Sequence, residues 1–244
     1  MRVEELLPHI YEKVTGVPRT VALRRLLEAT RQFCRDTHAW RENMRIILTE
    51  GQDTYMLPPQ EVSAPLFVDD LGSAMVSDQG LAIVEDAAFL EIDAVRHSVH
   101  KVHQVLLGDR RRPVSKKTET QMELECNPSA SSTVQFYTQP RASLIKFYGR
   151  PSAAVAGTEV IINASCVPDI NAVELPDALA GRYYEVLVAG ALSLLFGSPH
   201  ERWSNITQAQ RFAGAFAAGS DDARIEVEHE FSNRVVRVTG YGGI

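Results

Sequence analysis

The stretch from Leu175 to Ala217 constrains this chain more than any other. It reads LPDALAGRYYEVLVAGALSLLFGSPHERWSNITQAQRFAGAFA. Between Arg182 and Phe196 the only polar side chains are Arg182, Glu185, Ser193 and the hydroxyls of Tyr183 and Tyr184. At helical spacing, Leu179, Tyr183, Val186, Leu187, Gly190 and Leu194 form one stripe, and Tyr184, Val188, Ala191 and Leu195 a second. A helix that is apolar nearly all round is buried on most sides. The run reads as too short and too interrupted to span a bilayer, which takes about 20 apolar residues. No membrane partner is therefore expected. Ala189, Gly190 and Ala191 leave room for another helix to approach closely. Gly197 stands where a left-handed cap belongs, and Pro199 follows. Ser204 or Asn205 caps the next helix, with Gln208 placed as in a capping box. That helix carries Ala209, Ala213, Phe216, Ser220, Ala223 and Val227 as a seam. The two helices predict a helical hairpin with a short turn.

The N-terminal segment has the same texture. Residues 3–14 predict a short helix with Leu6, Leu7, Ile10 and Val14 on one side, in which Pro8 shifts the start. Pro18 suits a first helical turn. Thr20–His38 predicts a strong amphipathic helix, with Leu23, Leu26, Leu27, Thr30, Phe33 and Cys34 inward. Its Arg24, Arg25, Glu28, Arg31 and Arg35 read as a solvated face or as a contact with an acidic neighbour. After Trp40 the pattern becomes short strands: Arg45–Thr49, Thr54–Leu57, Phe89–Val95, Val102–Leu107, Thr118–Glu125, Val134–Thr138, Ser143–Tyr148 and Glu159–Ala164, with turn residues between. The expected fold is α+β. A helical bundle is built from residues 1–42 and 175–231, and a β-rich domain of sandwich or barrel type over 43–174 is inserted into it. Residues 232–244 (SNRVVRVTGYGGI) read as an extended C-terminal arm. Its β-branched and apolar content is not that of a disordered tail, and it predicts ordering against a partner.

The chemistry expected of the chain is sparse. The 244 residues carry a net charge of −6, which argues against a protein whose main task is gripping nucleic acid. Cys34, Cys126 and Cys166 are odd in number and form no CxxC or Cys/His spacing, so neither a disulfide framework nor a zinc motif is expected. The opening MRVEELLPHI has no signal-peptide core, and synthesis in a reducing cytoplasm is expected. His97, His100 and His103 form HxxHxxH, but on a strand His100 faces away from the other two, so a joint metal site is not expected. Arg110, Arg111, Arg112, Lys116 and Lys117 read as a solvated basic loop. Asp69 and Asp70 lack calcium-loop spacing. Asp221, Asp222, Glu226, Glu228 and Glu230 read as a soluble outer face, or as an acidic lining that repels DNA phosphates in a channel. No nucleophile elbow, phosphate loop or HExxH is present. No enzyme, cofactor or metal is expected.

Several segments together resemble the head-to-tail adaptor (connector) proteins of tailed bacteriophages. They are RQFCRDTHAWRE at Arg31–Glu42, Tyr55-Met56-Leu57-Pro58, LPDAL at Leu175–Leu179, GALSLLFGSP at Gly190–Pro199, and WSN at Trp203–Asn205 followed by an Ala/Phe-rich helix. The resemblance covers both helical ends, and the middle only in order and texture. It implies a virion protein that forms a homo-oligomeric ring of about twelve copies between the portal protein and a tail nozzle or stopper protein, with DNA passing through the lumen without sequence-specific binding. It implies a portal-binding arm carrying Arg234, Val235, Val236, Arg237, Val238, Tyr241 and Ile244. It further implies packing between subunits through Tyr183, Leu187, Gly190, Trp203, Phe212 and Phe216, and a lumen lined by Asp221, Asp222, Glu226 and Glu228. The other readings are a different tail ring subunit (stopper, terminator or nozzle), a metal-dependent hydrolase using His97, His100 and His103, and a carbohydrate-binding module.

Overall fold

A computed structural model of the chain describes residues 1–57, 97–108, 111–118, 120–121 and 134–231. The fold is mixed α+β. The chain divides into two compact units, one formed by Met1–Trp40 with the chain from Leu175 onward, the other by Arg41–Glu174.

The first unit begins with a 3₁₀ turn, Val3–Leu6, which runs directly into α1 (Leu7–Tyr11). Pro8 falls in the first turn of α1, where its missing N–H costs no helical hydrogen bond. It therefore starts the helix instead of interrupting one. Helix α2 (Arg19–Thr37) buries Ala22, Leu26, Leu27, Ala29, Thr30, Phe33, Cys34 and Thr37 along one side. Thr30 and Thr37 are buried without penalty because their hydroxyls donate to the carbonyls of Leu26 and Phe33, both at 2.8 Å. His38, with φ of 55°, closes the helix in the left-handed conformation.

Helices α3 (Asp177–Phe196) and α4 (Ile206–Phe231) complete the unit. By length and composition α3 is long and apolar enough to cross a membrane, contrary to the expectation from its sequence, but most of its apolar window is buried inside the protein. Its neighbours explain why: α2 and α4 both pack against it. The approach of α4 depends on two glycines. A Cβ on Gly190 would lie 2.7 Å from the Phe216 ring and 2.9 Å from Ala29 Cβ, and one on Gly219 would meet Val186 Cγ2 at 2.5 Å. Only a missing side chain permits these backbones to come so near. Gly197 has φ of −77°, so the expected left-handed cap is not formed. Its N–H instead continues the helical pattern to Ser193 O at 3.0 Å. Asn205 caps α4, its Oδ1 accepting from Gln208 N at 3.1 Å. The seam on α4 buries Ala209, Phe216, Ala223 and Val227, but Ala213 is exposed.

Among its described residues the second unit holds two four-stranded sheets. One has the order β1 (Arg41–Ile47), β8 (Glu159–Pro168), β3 (His97–Leu107) and β4 (Arg112–Pro113). The other has β2 (Thr54–Met56), β7 (Leu144–Tyr148), β6 (Phe136–Arg141) and β5 (Ser115–Lys116). The basic run is therefore not a simple loop. Its described part passes from the edge of one sheet to the edge of the other, with Val114 buried between and its N–H on Val105 O at 2.9 Å. A strand expected from Thr118 starts otherwise: residues 120–121 are helical, and Thr118 and Gln121 exchange capping hydrogen bonds at 3.2 and 3.4 Å. The strand expected over Phe89–Val95, the rest of Thr118–Glu125, Asp69, Asp70, Arg110 and Cys126 lie outside the described residues.

Candidate functional site

Strand β3 explains the spacing of the three histidines. Its sequence HSVHKVHQVLL repeats valine every third residue, which fits neither a helix nor a regular strand. The register against β8 slips between Val99 and Lys101 and again between Val102 and Gln104, so His100 and His103 are the extra residues of two β-bulges. Each bulge restores the next valine to the interior, and Val99, Val102 and Val105 are all buried. His100 is exposed, while His97 and His103 are half-buried. The three rings are thus spread along the strand by the bulges, and the structure does not gather them into one site.

His97 meets different partners. Its Nε2 lies 3.0 Å from Glu42 Oε2, and Glu42, His97 and Cys166 present their ligand atoms within 4.8 Å of one another. The register dictates this grouping. On β8, Cys166 has Ala164 and Pro168 as its same-face neighbours; Glu42 is opposite Ala164 and His97 opposite Pro168. Directly opposed side chains share a face, so both reach diagonally towards Cys166. No spacing rule reveals the trio, because its members come from three strands far apart in sequence.

In the helical unit a polar cluster ties α3 to α4. Tyr183 departs from helical geometry (φ −119°, ψ 17°) and kinks α3. Its ring packs on Phe33 at 5.1 Å between centroids. Its hydroxyl donates to Glu226 Oε2 at 2.9 Å. Arg182 bonds Glu226 and reaches Glu230 at 3.4 Å. Burial, then the bond to Glu226, pushes the Tyr183 hydroxyl up to about 12. The Arg182 guanidinium, then the Tyr183 hydroxyl, holds the Glu226 carboxyl below its ordinary value. Beside the cluster runs a shallow groove of about 430 Å³, lined by Tyr183, Val186, Gly219, Asp222, Ile225 and Glu226.

This geometry corrects part of the expected surface. Tyr183, Leu187, Gly190 and Phe216 are buried within one chain, so their packing belongs to the chain's own core and not to the expected packing surface. Phe212 is half-buried and stacks on Phe196 at 5.8 Å, and Trp203 is half-buried. Of the acidic residues expected to face a lumen, Glu226 is committed to Arg182 and Tyr183, and Asp221 pairs with Arg224 at 3.0 Å. Asp222 and Glu228 are exposed. The far side of α4 instead presents small residues: Ala213, Gly214, Ala215, Ala217 and Ala218 are exposed, with Ile206 and Ile225 near its two ends. The arm residues Arg234, Val235, Val236, Arg237, Val238, Tyr241 and Ile244 lie outside the described residues. Compared with known proteins, the chain matches no family model and no curated protein.

Proposed function

We propose that the protein is a structural virion subunit, a head-to-tail adaptor that assembles as a ring of about twelve copies between portal and tail and extends the DNA channel. In this reading a helical bundle carries an inserted β-domain of sandwich or barrel type, and residues 232–244 form an arm that docks on the portal. The observation that supports it is the two-sidedness of α4. One side is consumed by α2 and α3, while the other exposes a central run of small residues, Ala213, Gly214, Ala215, Ala217 and Ala218, flanked by charged residues that include Arg211, Asp221 and Asp222. Such a run of small side chains admits close packing against a second helix. The extent of helix favours an adaptor over the β-dominated ring subunits of the tail. The net charge of −6 is compatible with a lumen that lets DNA slide.

Native mass measurement and negative-stain imaging of the protein, alone and mixed with its cognate portal, test the reading. A monomer that becomes a portal-capped ring is the expected result. Removing Val235–Ile244 is expected to abolish portal binding and leave the circular dichroism of the subunit unchanged. A truncated chain that still binds the portal overturns the role of the arm. A chain that forms rings alone and binds tail tubes belongs further down the tail.

A further inference from the structure

We propose that Glu42, His97 and Cys166 form a binding site for a divalent transition-metal ion of the zinc class, which ties together β1, β3 and β8. The inference is independent of the assembly reading.

The three groups supply one carboxylate oxygen, one imidazole nitrogen and one thiol sulfur. These are the donor types that zinc takes, at bond lengths of about 2.0–2.3 Å. Around a tetrahedral ion such bonds place neighbouring donors about 3.3–3.8 Å apart. The pair from His97 to Glu42 stands at 3.0 Å, and the whole trio lies within 4.8 Å. Small rotations of side chains, with no movement of the strands, close the set around an ion. Backbone register fixes the three Cα positions: Glu42 pairs with Ala164 from one side of β8, and His97 with Pro168 and Val99 with Cys166 from the other. Such preorganisation is what a metal site needs from its scaffold.

Burial is graded in a way that suits ion entry. Cys166 is fully buried, His97 is 16% exposed and Glu42 36% exposed. The carboxylate therefore stands at the outer end of the site, and the sulfur at its floor. A thiol facing a carboxylate and an imidazole is the arrangement in which a cation displaces the thiol proton: the S–H bond breaks, a metal–sulfur bond forms, and the proton leaves to solvent. With three protein donors, water completes the tetrahedron on the exposed side. The ion joins the edge strand β1 to β8 and β3, neighbours in the same sheet, and stabilises the unit by mass action.

The test uses the full chain freed of metal with a chelator, titrated with Zn²⁺ against a chromophoric competitor and with Co²⁺ as a spectroscopic probe. One equivalent is expected to bind. The cobalt form is expected to show a thiolate-to-metal charge-transfer band that disappears in Cys166→Ala. Cys166→Ala and His97→Gln are each expected to weaken zinc binding at least about tenfold, as loss of a ligand does, while His100→Gln and Cys34→Ala leave it unchanged. Less than stoichiometric binding, or a stoichiometric site indifferent to both ligand substitutions, overturns the proposal. Should Cys166→Ala fail to fold, Glu42→Gln at the half-exposed end decides: unchanged zinc affinity there overturns it as well.

Discussion

Gly190 and Gly214 lie on facing helices of one unit and have opposite reasons for lacking a side chain. At Gly190 a methyl group would press into the Phe216 ring and Ala29, whereas at Gly214 nothing lies within 4 Å. Gly190→Ala is therefore expected to destabilise the protein by about 1–3 kcal/mol through overpacking. Gly214→Ala is expected to stabilise it by about 0.5–1 kcal/mol, by removing backbone freedom from the unfolded chain. Thermal melts of the two variants check both signs. Tyr183 gives a pH-dependent contribution. Its folded-state pKa of about 12 exceeds the ordinary 10.0, so the stability it confers is complete below pH 10 and lost as pH rises through that window. Glu226 works in the other direction: its pKa is depressed from 4.5, so its contribution is present above that pH and fades as acid protonates it. Tyr183→Phe is expected to flatten the alkaline limb of melting temperature against pH. A residual slope remains from Tyr55 and Tyr137, whose hydroxyls burial also raises. An unchanged alkaline limb in the variant would show that the hydroxyl titrates as it does in the unfolded chain.

Strand β3 shows how an element can obey its packing and still violate its own period. Two bulges, at His100 and His103, convert a three-residue valine repeat into a single buried edge. The side chain of His100 is exposed, and as the extra residue of a bulge it adds no pair to the ladder. His100→Ala is expected to change stability by less than about 0.5 kcal/mol, as surface substitutions do. Deleting His100 removes the extra residue, so Val99 and Val102 stand two positions apart and stay on one face of a regular strand. The deletion is expected to leave a cooperative melt of the β-unit, with hydrogen exchange across β3 and β8 as protected as in the parent. A deletion variant that loses this protection would show that the bulge itself is needed for the sheet. The helices are less delicate. α2 follows its amphipathic pattern from Arg19 to Thr37, and the kink of α3 at Tyr183 is anchored from outside, by Glu226 on α4.

At the scale of the molecule, the helical unit is assembled from the two ends of the chain. Met1 and Leu175 are joined by reciprocal backbone hydrogen bonds, Leu175 N to Met1 O at 2.9 Å and the Met1 ammonium to Leu175 O at 3.0 Å. The Met1 ammonium also pairs with Asp177 at 2.5 Å. The β-unit, by contrast, is continuous in sequence and contains both of its sheets. A fragment spanning residues 41–174 is therefore expected to fold alone and to melt in one cooperative transition, because no strand of either sheet is left behind. Circular dichroism of the isolated fragment checks this. A fragment without a transition would mean that the β-unit needs the helical unit to fold.

The α+β class, the four long or short helices and most strands of the described residues were legible in the sequence. Periodicity reports the balance of apolar and polar faces, and in α2, α3, β7 and β8 that balance decides the element. Capping by Asn205 was legible for the same reason, since it depends on a few neighbouring residues. What sequence could not determine were the contacts that bring distant residues together. The buried roles of Gly190 and Phe216 within the chain depend on where α4 crosses α3. The ion pair of Glu226 with Arg182 depends on the same crossing, and it turned an outward-reading carboxylate into a link between helices. The grouping of Glu42, His97 and Cys166 depends on the strand order β1-β8-β3 and on its register. Local propensity fixes which faces are apolar; only tertiary packing fixes which faces meet, because that choice minimises exposed area over the whole chain and not within any window of it.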